Sequence, residues 1–179
     1  FAAVQRDVTA AYERFEYHFV YQRISQFVAV ELSAIYHDCA KDRLYAEAAN
    51  APSRRAAQTT LHRLATGLTR MLAPICVFTA EEAWGFLPGK NADSVHLADW
   101  PEENFEMPAE EKAVWQTLFA HREPALAELE KARQDKLIGK ALEARVTIIA
   151  KPADLETAQA HAETLRELIN ISQLELAEA

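Results

Sequence analysis

From Phe19 to about Ala49 the chain carries neither glycine nor proline, and Ile24, Phe27, Val28, Ile35 and Cys39 recur there at helical spacing. So long a stretch without a breaker, apolar along one side, reads as one long helix that Ala51-Pro52 ends. Its apolar stripe needs a partner, and the next segment supplies one. Ser53 is placed as an N-cap, followed by Ala57, Leu61, Leu64, Leu68 and Leu72 at steps of four and three, until Pro74 ends or kinks the helix. Thr79-Ala80-Glu81-Glu82 has the spacing of a capping box ahead of Ala83, Trp84, Phe86 and Leu87, and Pro88-Gly89 stops that short helix. With the amphipathic opening FAAVQRDVTAAYERFEY, these helices on short turns favour an antiparallel bundle.

Residues 88–108, interrupted by Pro88, Gly89, Pro101 and Pro108, read as a loop that lies against the bundle through Val95, Leu97 and Trp100. The expected division is residues 1–105, a helical bundle with its trailing loop, and residues 106–179, a small α/β domain. In the second part, Ala109 to about Lys136 is helical in composition, with Val114, Leu118, Leu126 and Leu129 on one side and Pro124 bending or interrupting it. Ala144 to Ala150 (ARVTIIA) is β-branched and short, Asp154 to Ile169 reads as a helix, and Ile171 to Leu176 alternates apolar with polar. Helix, strand, helix, strand is compatible with a parallel pair and a right-handed crossover. The expected fold class is therefore mainly α, an antiparallel helical bundle followed by a small α/β domain.

Several functions are disfavoured by pattern. No pair of the glycines fits GxGxxG or GxxxxGK, so a self-contained ATP site is not expected. Neither HExxH nor ExxH occurs. His18, His37, His62, His96, His121 and His161 never fall at the spacing that puts two metal ligands on one helix face. His18, between Tyr17 and Phe19, reads as a bundle-surface or core-edge residue. There is no GxSxG for a nucleophile, and the acidic pairs Glu81-Glu82 and Glu102-Glu103 read as helix starts or solvated loop. Cys39 and Cys76, far apart beside apolar neighbours, read as reduced core thiols. No apolar run reaches the roughly 18 residues of a membrane span. The opening has no signal-peptide pattern and no initiating Met, which is expected of a piece of a longer chain.

The formal charge is −8, with 19 Lys and Arg against 27 Asp and Glu, unlike the basic surface of a general nucleic-acid binder. That average hides a division. Residues 1–75 carry net +2 and the remainder −10, and residues 39–75 alone carry net +4. Within that window Arg54 and Arg55 fall in the first turn of the second helix, where each exposed cation opposes the helix dipole by about 0.3 to 1 kcal/mol. Guanidinium forks beside the free N–H groups of a helix start make a phosphate contact, with Lys41 and Arg43 close by across the turn. Tyr45, four residues after Lys41, shares its face and is placed to stack on an unpaired base or to pack under the turn. Gln58, one turn past Arg54, can read a base edge, and Arg63 and Arg70 extend the series. Periodicity alone does not separate this reading from an ordinary solvated helix face.

The strings LSAIYHDCAKDRLY (Leu32 to Tyr45), RRAAQTTLHRL (Arg54 to Leu64), LTRMLAPICVFTAEEAW (Leu68 to Trp84), SVHLADWP (Ser94 to Pro101), IGKALEARV (Ile138 to Val146) and ISQLEL (Ile171 to Leu176) resemble, in order, the C-terminal region of bacterial-type isoleucyl-tRNA synthetases. LAPICVFTAEEAW is shared with the valyl and leucyl relatives, whereas KDRLY, RRAAQT and IGKALEARV together point to the isoleucyl family. The resemblance implies recognition of the anticodon stem-loop of tRNA(Ile) by Lys41, Arg43, Tyr45, Arg54, Arg55, Gln58, Arg63 and Arg70. It implies no catalytic, cofactor or metal residue within the segment. The parent would be a monomeric cytoplasmic ligase, using ATP with Mg and carrying zinc outside this segment, with separate catalytic and editing domains. The same region of a valyl or leucyl enzyme is one alternative; a helical protein-interaction module with an acidic tail is another.

Overall fold

The breaker-free stretch is one continuous helical run in three pieces: α2 (Tyr17–Gln26), a π-helical segment (Phe27–His37) and α3 (Asp38–Tyr45). Val20, Ile24 and Phe27 are buried at α spacing, and the next buried residue, Leu32, comes five positions later. Hydrogen bonding from i to i+5 suits that interval and returns Leu32 to the inner face. Periodicity predicts the continuous run but not this change of pitch. The computed structural model describes residues 1–101 and 107–179, and the chain divides into two compact units, Phe1–Glu106 and Met107–Ala179. The boundary expected between residues 105 and 106 lies outside the described residues.

In the first unit, α1 (Ala2–Glu13) turns back into α2 through Arg14 to Glu16, with Phe15 in the left-handed region at φ 57°. Val4, Val8 and Ala11 of α1, Val20 and Ile24 of α2, Phe27 and Leu32 of the π segment, and Leu64 and Met71 of α4 (Pro52–Leu72) form one core. Fully burying each large aliphatic side chain contributes about 1.5 to 3 kcal/mol, so this cluster holds the helices together. Gly67 marks a close approach, since a Cβ there would stand 2.8 Å from the Phe1 ring. The Tyr12 hydroxyl donates to the Met71 carbonyl at 2.8 Å, and burial pushes its pKa up to about 12.

Several expected boundaries move. The long helix stops at Tyr45, short of Ala49, and Pro52 opens α4 instead of ending its predecessor. Proline suits the first helical position because its φ is preset and no N–H is lost there. Ala51, not Ser53, is the N-cap; the Ser53 hydroxyl instead donates to the Glu47 carboxylate. The capping box at Thr79 is not formed either. Helix α5 (Val77–Phe86) starts earlier, from Cys76, and the Glu81 carboxylate accepts from Ser94 Oγ at 2.8 Å and Val95 N at 3.0 Å. The Ser94 bond leads the causes that hold Glu81 below the usual carboxylate range. These bonds tie α5 to a 3₁₀ turn (Val95–Leu97).

The segment after α5 lies on the bundle, but not through every expected anchor. Val95 is buried with Trp84, and Trp100 packs against the main core while its indole N–H donates to Thr9 Oγ1 at 2.8 Å. Leu97 is 76% exposed: the short 3₁₀ turn points it away from Val95's neighbours. Cys76 is exposed and Cys39 half-buried, so neither is a core thiol, and neither is in a disulfide. Leaving the helix core at its N-cap position is what exposes Cys76.

The second unit opens with α6 (Ala109–Gln134), which passes through Pro124 without stopping and buries Leu118, Ala125 and Leu129, with Val114 and Leu126 half-buried. Strand β1 (Arg145–Ala150) pairs in parallel with β2 (Gln173–Glu178), Arg145 opposite Gln173 and Ala150 opposite Glu178. The connection is two helices, not the single one expected: α7 (Pro152–Ala160) and α8 (Ala162–Ile169) break at His161. Asn170, at φ 61°, ends α8 in the left-handed conformation that closes many helices. Ile171 is then buried before β2 begins, two residues later than its alternating pattern predicts. Arg122 Nε donates to the Leu168 carbonyl at 3.1 Å, fastening α8 to α6.

Candidate nucleic-acid interface

Helices α3 and α4 pack as neighbours and are joined by the short turn of residues 46–51. The last turns of α3, carrying Lys41, Arg43 and Tyr45, therefore share a corner with the first turns of α4, carrying Arg54, Arg55 and Gln58.

Within that corner the two adjacent arginines do different things. Arg54 Nη1 turns back and donates to the Glu47 carbonyl at 2.7 Å, while its Nε is buried without an acceptor. Arg55 is exposed, its Nη1 donating to Gln58 Oε1 at 3.1 Å. Both acceptors are neutral oxygens, so these bonds orient the guanidinium groups without cancelling their charge. Glu47 lies in the turn, and its role of receiving both Ser53 and Arg54 has no periodic signature in the sequence.

Lys41 is exposed and paired with Asp38 at 2.7 Å, and that bond holds its ammonium above the usual lysine range. Asp38 precedes the stretch 39–75 and its net +4, so the corner is less positive than that figure implies. Arg43 is half-buried. Tyr45 is 84% exposed at the end of α3, an aromatic face left open to solvent. Such exposure disfavours packing under the turn.

Arg63 and Arg70 do not belong to this corner. At 1.5 Å per residue they stand about 12 and 22 Å beyond Arg55 along α4. Arg70 lies with its guanidinium carbon 5.3 Å above the ring of Trp84, a side chain wholly buried in the second core cluster.

Among the described residues no group of three or more His, Cys, Asp and Glu side chains could hold a metal ion, and no helix is long and apolar enough to cross a membrane. The Glu102-Glu103 pair lies outside the described residues. What the corner offers chemically is oriented cations, a helix N-terminus and one exposed ring, groups of the kind that can hold an anionic polymer.

Residues 1–148 match the family described as the anticodon-binding domain of tRNA ligase. The isoleucine–tRNA ligase of Natranaerobius thermophilus is 42% identical over 172 residues, covering 96% of this chain and 19% of its own length. That of Kosmotoga olearia is 40% identical over 181 residues, covering 97% of this chain and 19% of its own. That of Sodalis glossinidius is 42% identical over 153 residues, covering 84% and 16%. The chain thus spans about a fifth of the length of these curated relatives. On the match across most of its length, the chain belongs to the family of anticodon-binding domains of tRNA ligases.

Proposed function

We propose that this chain grips the anticodon stem-loop of tRNA(Ile) for an isoleucine–tRNA ligase, orienting the tRNA for aminoacylation carried out elsewhere in that enzyme. The observation that carries the reading is the corner between α3 and α4, where Arg54 and Arg55 are held on neutral acceptors in a chain of net charge −8. The relatives' names support the choice of isoleucine.

In this reading Arg55, Lys41 and Arg43 contact phosphates, and Gln58 meets a base edge. Tyr45 stacks on an unpaired base, a contact contributing about 1 to 3 kcal/mol. Arg54 shapes the turn that presents them and adds its positive charge to the corner that the RNA backbone meets. Binding so far from the reaction serves orientation, since a correctly placed acceptor end removes a large entropic part of the barrier. ATP with Mg, zinc, and the catalytic and editing chemistry belong in this proposal to other parts of a monomeric cytoplasmic enzyme.

The test is fluorescence anisotropy of the 179-residue chain with tRNA(Ile) and tRNA(Val) over a range of salt. Tighter binding of tRNA(Ile), with affinity falling linearly in log salt, is the expected result. Binding that ignores salt, or no binding to either RNA, rejects the proposal; equal binding to both rejects its isoleucine-specific part.

A further inference from the structure

The far half of α4 builds a second cationic feature, separate from the corner. A cavity of about 270 Å³ opens between α4, the end of α5 and the following turn, and its lining includes His62, Arg63, Thr66, Arg70, Lys90 and Asn91. Four of these carry basic groups. Among the described residues that line the cavity none carries a carboxylate, although acids outnumber bases 27 to 19 in the chain. Glu81 feels the charge of Lys90, but its carboxylate is committed to Ser94 and Val95.

The lining is assembled from two stretches of chain that the fold brings together. Gly89, at φ 67°, lets the chain reverse after α5, a conformation that suits glycine. His62 Nε2 donates to the Pro88 carbonyl at 2.8 Å and pins that turn to α4. Arg70 is oriented from two sides, by the Trp84 ring beneath it and by Asn91 Oδ1, which accepts from Nη2 at 3.1 Å. Its Nε is buried with no acceptor, and a buried donor left unmade is costly. Lys90 Nζ donates to the Gly85 carbonyl at 3.1 Å, which occupies one of its three donors.

We propose that this cavity is a phosphate-binding site taking one phosphodiester of the RNA, about two to four helical turns beyond Arg55 along the same α4. The assignment rests on the function proposed above. An oxyanion with several acceptor lone pairs matches the guanidinium of Arg70 and the ammonium of Lys90 brought to one small space whose described lining carries no carboxylate. A strand held at the corner and again in this cavity is fixed in direction as well as in position.

The experiment uses the anticodon stem-loop of tRNA(Ile) as an RNA oligonucleotide, with the whole chain and its Lys90→Gln, Arg70→Lys and Arg55→Ala variants, over a range of salt. Thermal melts verify that each variant folds, and Arg70→Lys keeps the charge while losing the fork. Lys90→Gln is expected to weaken binding about 3- to 10-fold and to lower the salt slope by about 0.7 to 0.9, the loss of one phosphate contact. Arg70→Lys is expected to weaken binding with the slope unchanged. RNA binding by the wild type that is sensitive to Arg55→Ala, yet unaltered in both cavity variants, overturns this site while leaving the corner standing. No RNA binding by the wild type removes both readings. Inorganic phosphate that raises the melting temperature of the wild type but not of Lys90→Gln supports an anion site; with RNA affinity unaltered in the variants, it marks a site for free phosphate and overturns the phosphodiester assignment.

Discussion

Substituting Arg54 and Arg55 one at a time separates a residue that builds the corner from one that uses it. Arg54 Nη1 donates to the Glu47 carbonyl at 2.7 Å from a half-buried position, and a hydrogen bond from a charged donor contributes about 1.5 to 3 kcal/mol. Against that, Arg54→Ala relieves a cation in the first turn of α4, worth about 0.3 to 1 kcal/mol, and removes a buried N–H that has no acceptor. The net expectation is a loss of about 1 to 2 kcal/mol. Arg55→Ala removes an exposed side chain bonded to Gln58 and relieves the same dipole, so its effect should stay within about 0.5 kcal/mol. Urea unfolding followed by far-UV ellipticity reads the difference. With a slope of about 1 to 3 kcal/mol/M, Arg54→Ala moves the midpoint down by roughly 0.3 to 2 M. RNA binding gives the complementary reading, because Arg55→Ala lowers the salt slope by about 0.7 to 0.9 without a change in folding. An unshifted midpoint in Arg54→Ala, or a shift of equal size in both variants, refutes the division of labour.

Two further predictions concern the bundle that carries the site. The phenol of Tyr12 is raised from 10.0 to about 12 in the folded chain, so the folded state favours its neutral form. The stability that follows is complete below pH 10.0 and lost as pH rises through about 12. Tyr12→Phe should remove that alkaline loss from urea midpoints measured against pH, while lowering stability at neutral pH by about 0.5 to 1.5 kcal/mol through the bond to Met71; an unchanged alkaline limb contradicts it. Trp84 is wholly buried, donates to the Ala92 carbonyl at 2.9 Å and underlies Arg70. Trp84→Phe loses a donor and a ring's volume, for about 2 to 4 kcal/mol in chemical denaturation, and a loss under about 1 kcal/mol would show that the second core cluster does not depend on it.

Elements with a strong local signal were legible along the chain. The absence of breakers from Phe19 to Ala49 announced a helical run, and ARVTIIA and the alternation near Leu174 announced a pair of strands that do align in parallel. Where local signals competed, the boundary went to whichever residue tertiary contacts claimed first. Ser53 and Thr79 both have side chains able to cap a helix, yet Glu47 takes the Ser53 hydroxyl and Glu81 is taken by Ser94 and Val95. The π-helical segment is a response to packing: Leu32 is drawn inward five residues after Phe27, and spacing read on an α template cannot register that.

For the candidate site, charge counting along residues 39–75 located the cations and the strings around them located the family. Both are properties of covalent order, because helix periodicity and net charge are carried by the residues themselves. Which cation faces outward was decided in three dimensions. Asp38 was drawn onto Lys41, Arg54 onto the Glu47 carbonyl, and Arg70 onto Trp84, leaving Arg55 and Tyr45 at the exposed corner and bringing Lys90, remote in sequence, beside Arg70. The reason is that a hydrogen bond or a ring contact depends on distances of a few ångströms, which helices set only once their apolar faces have met.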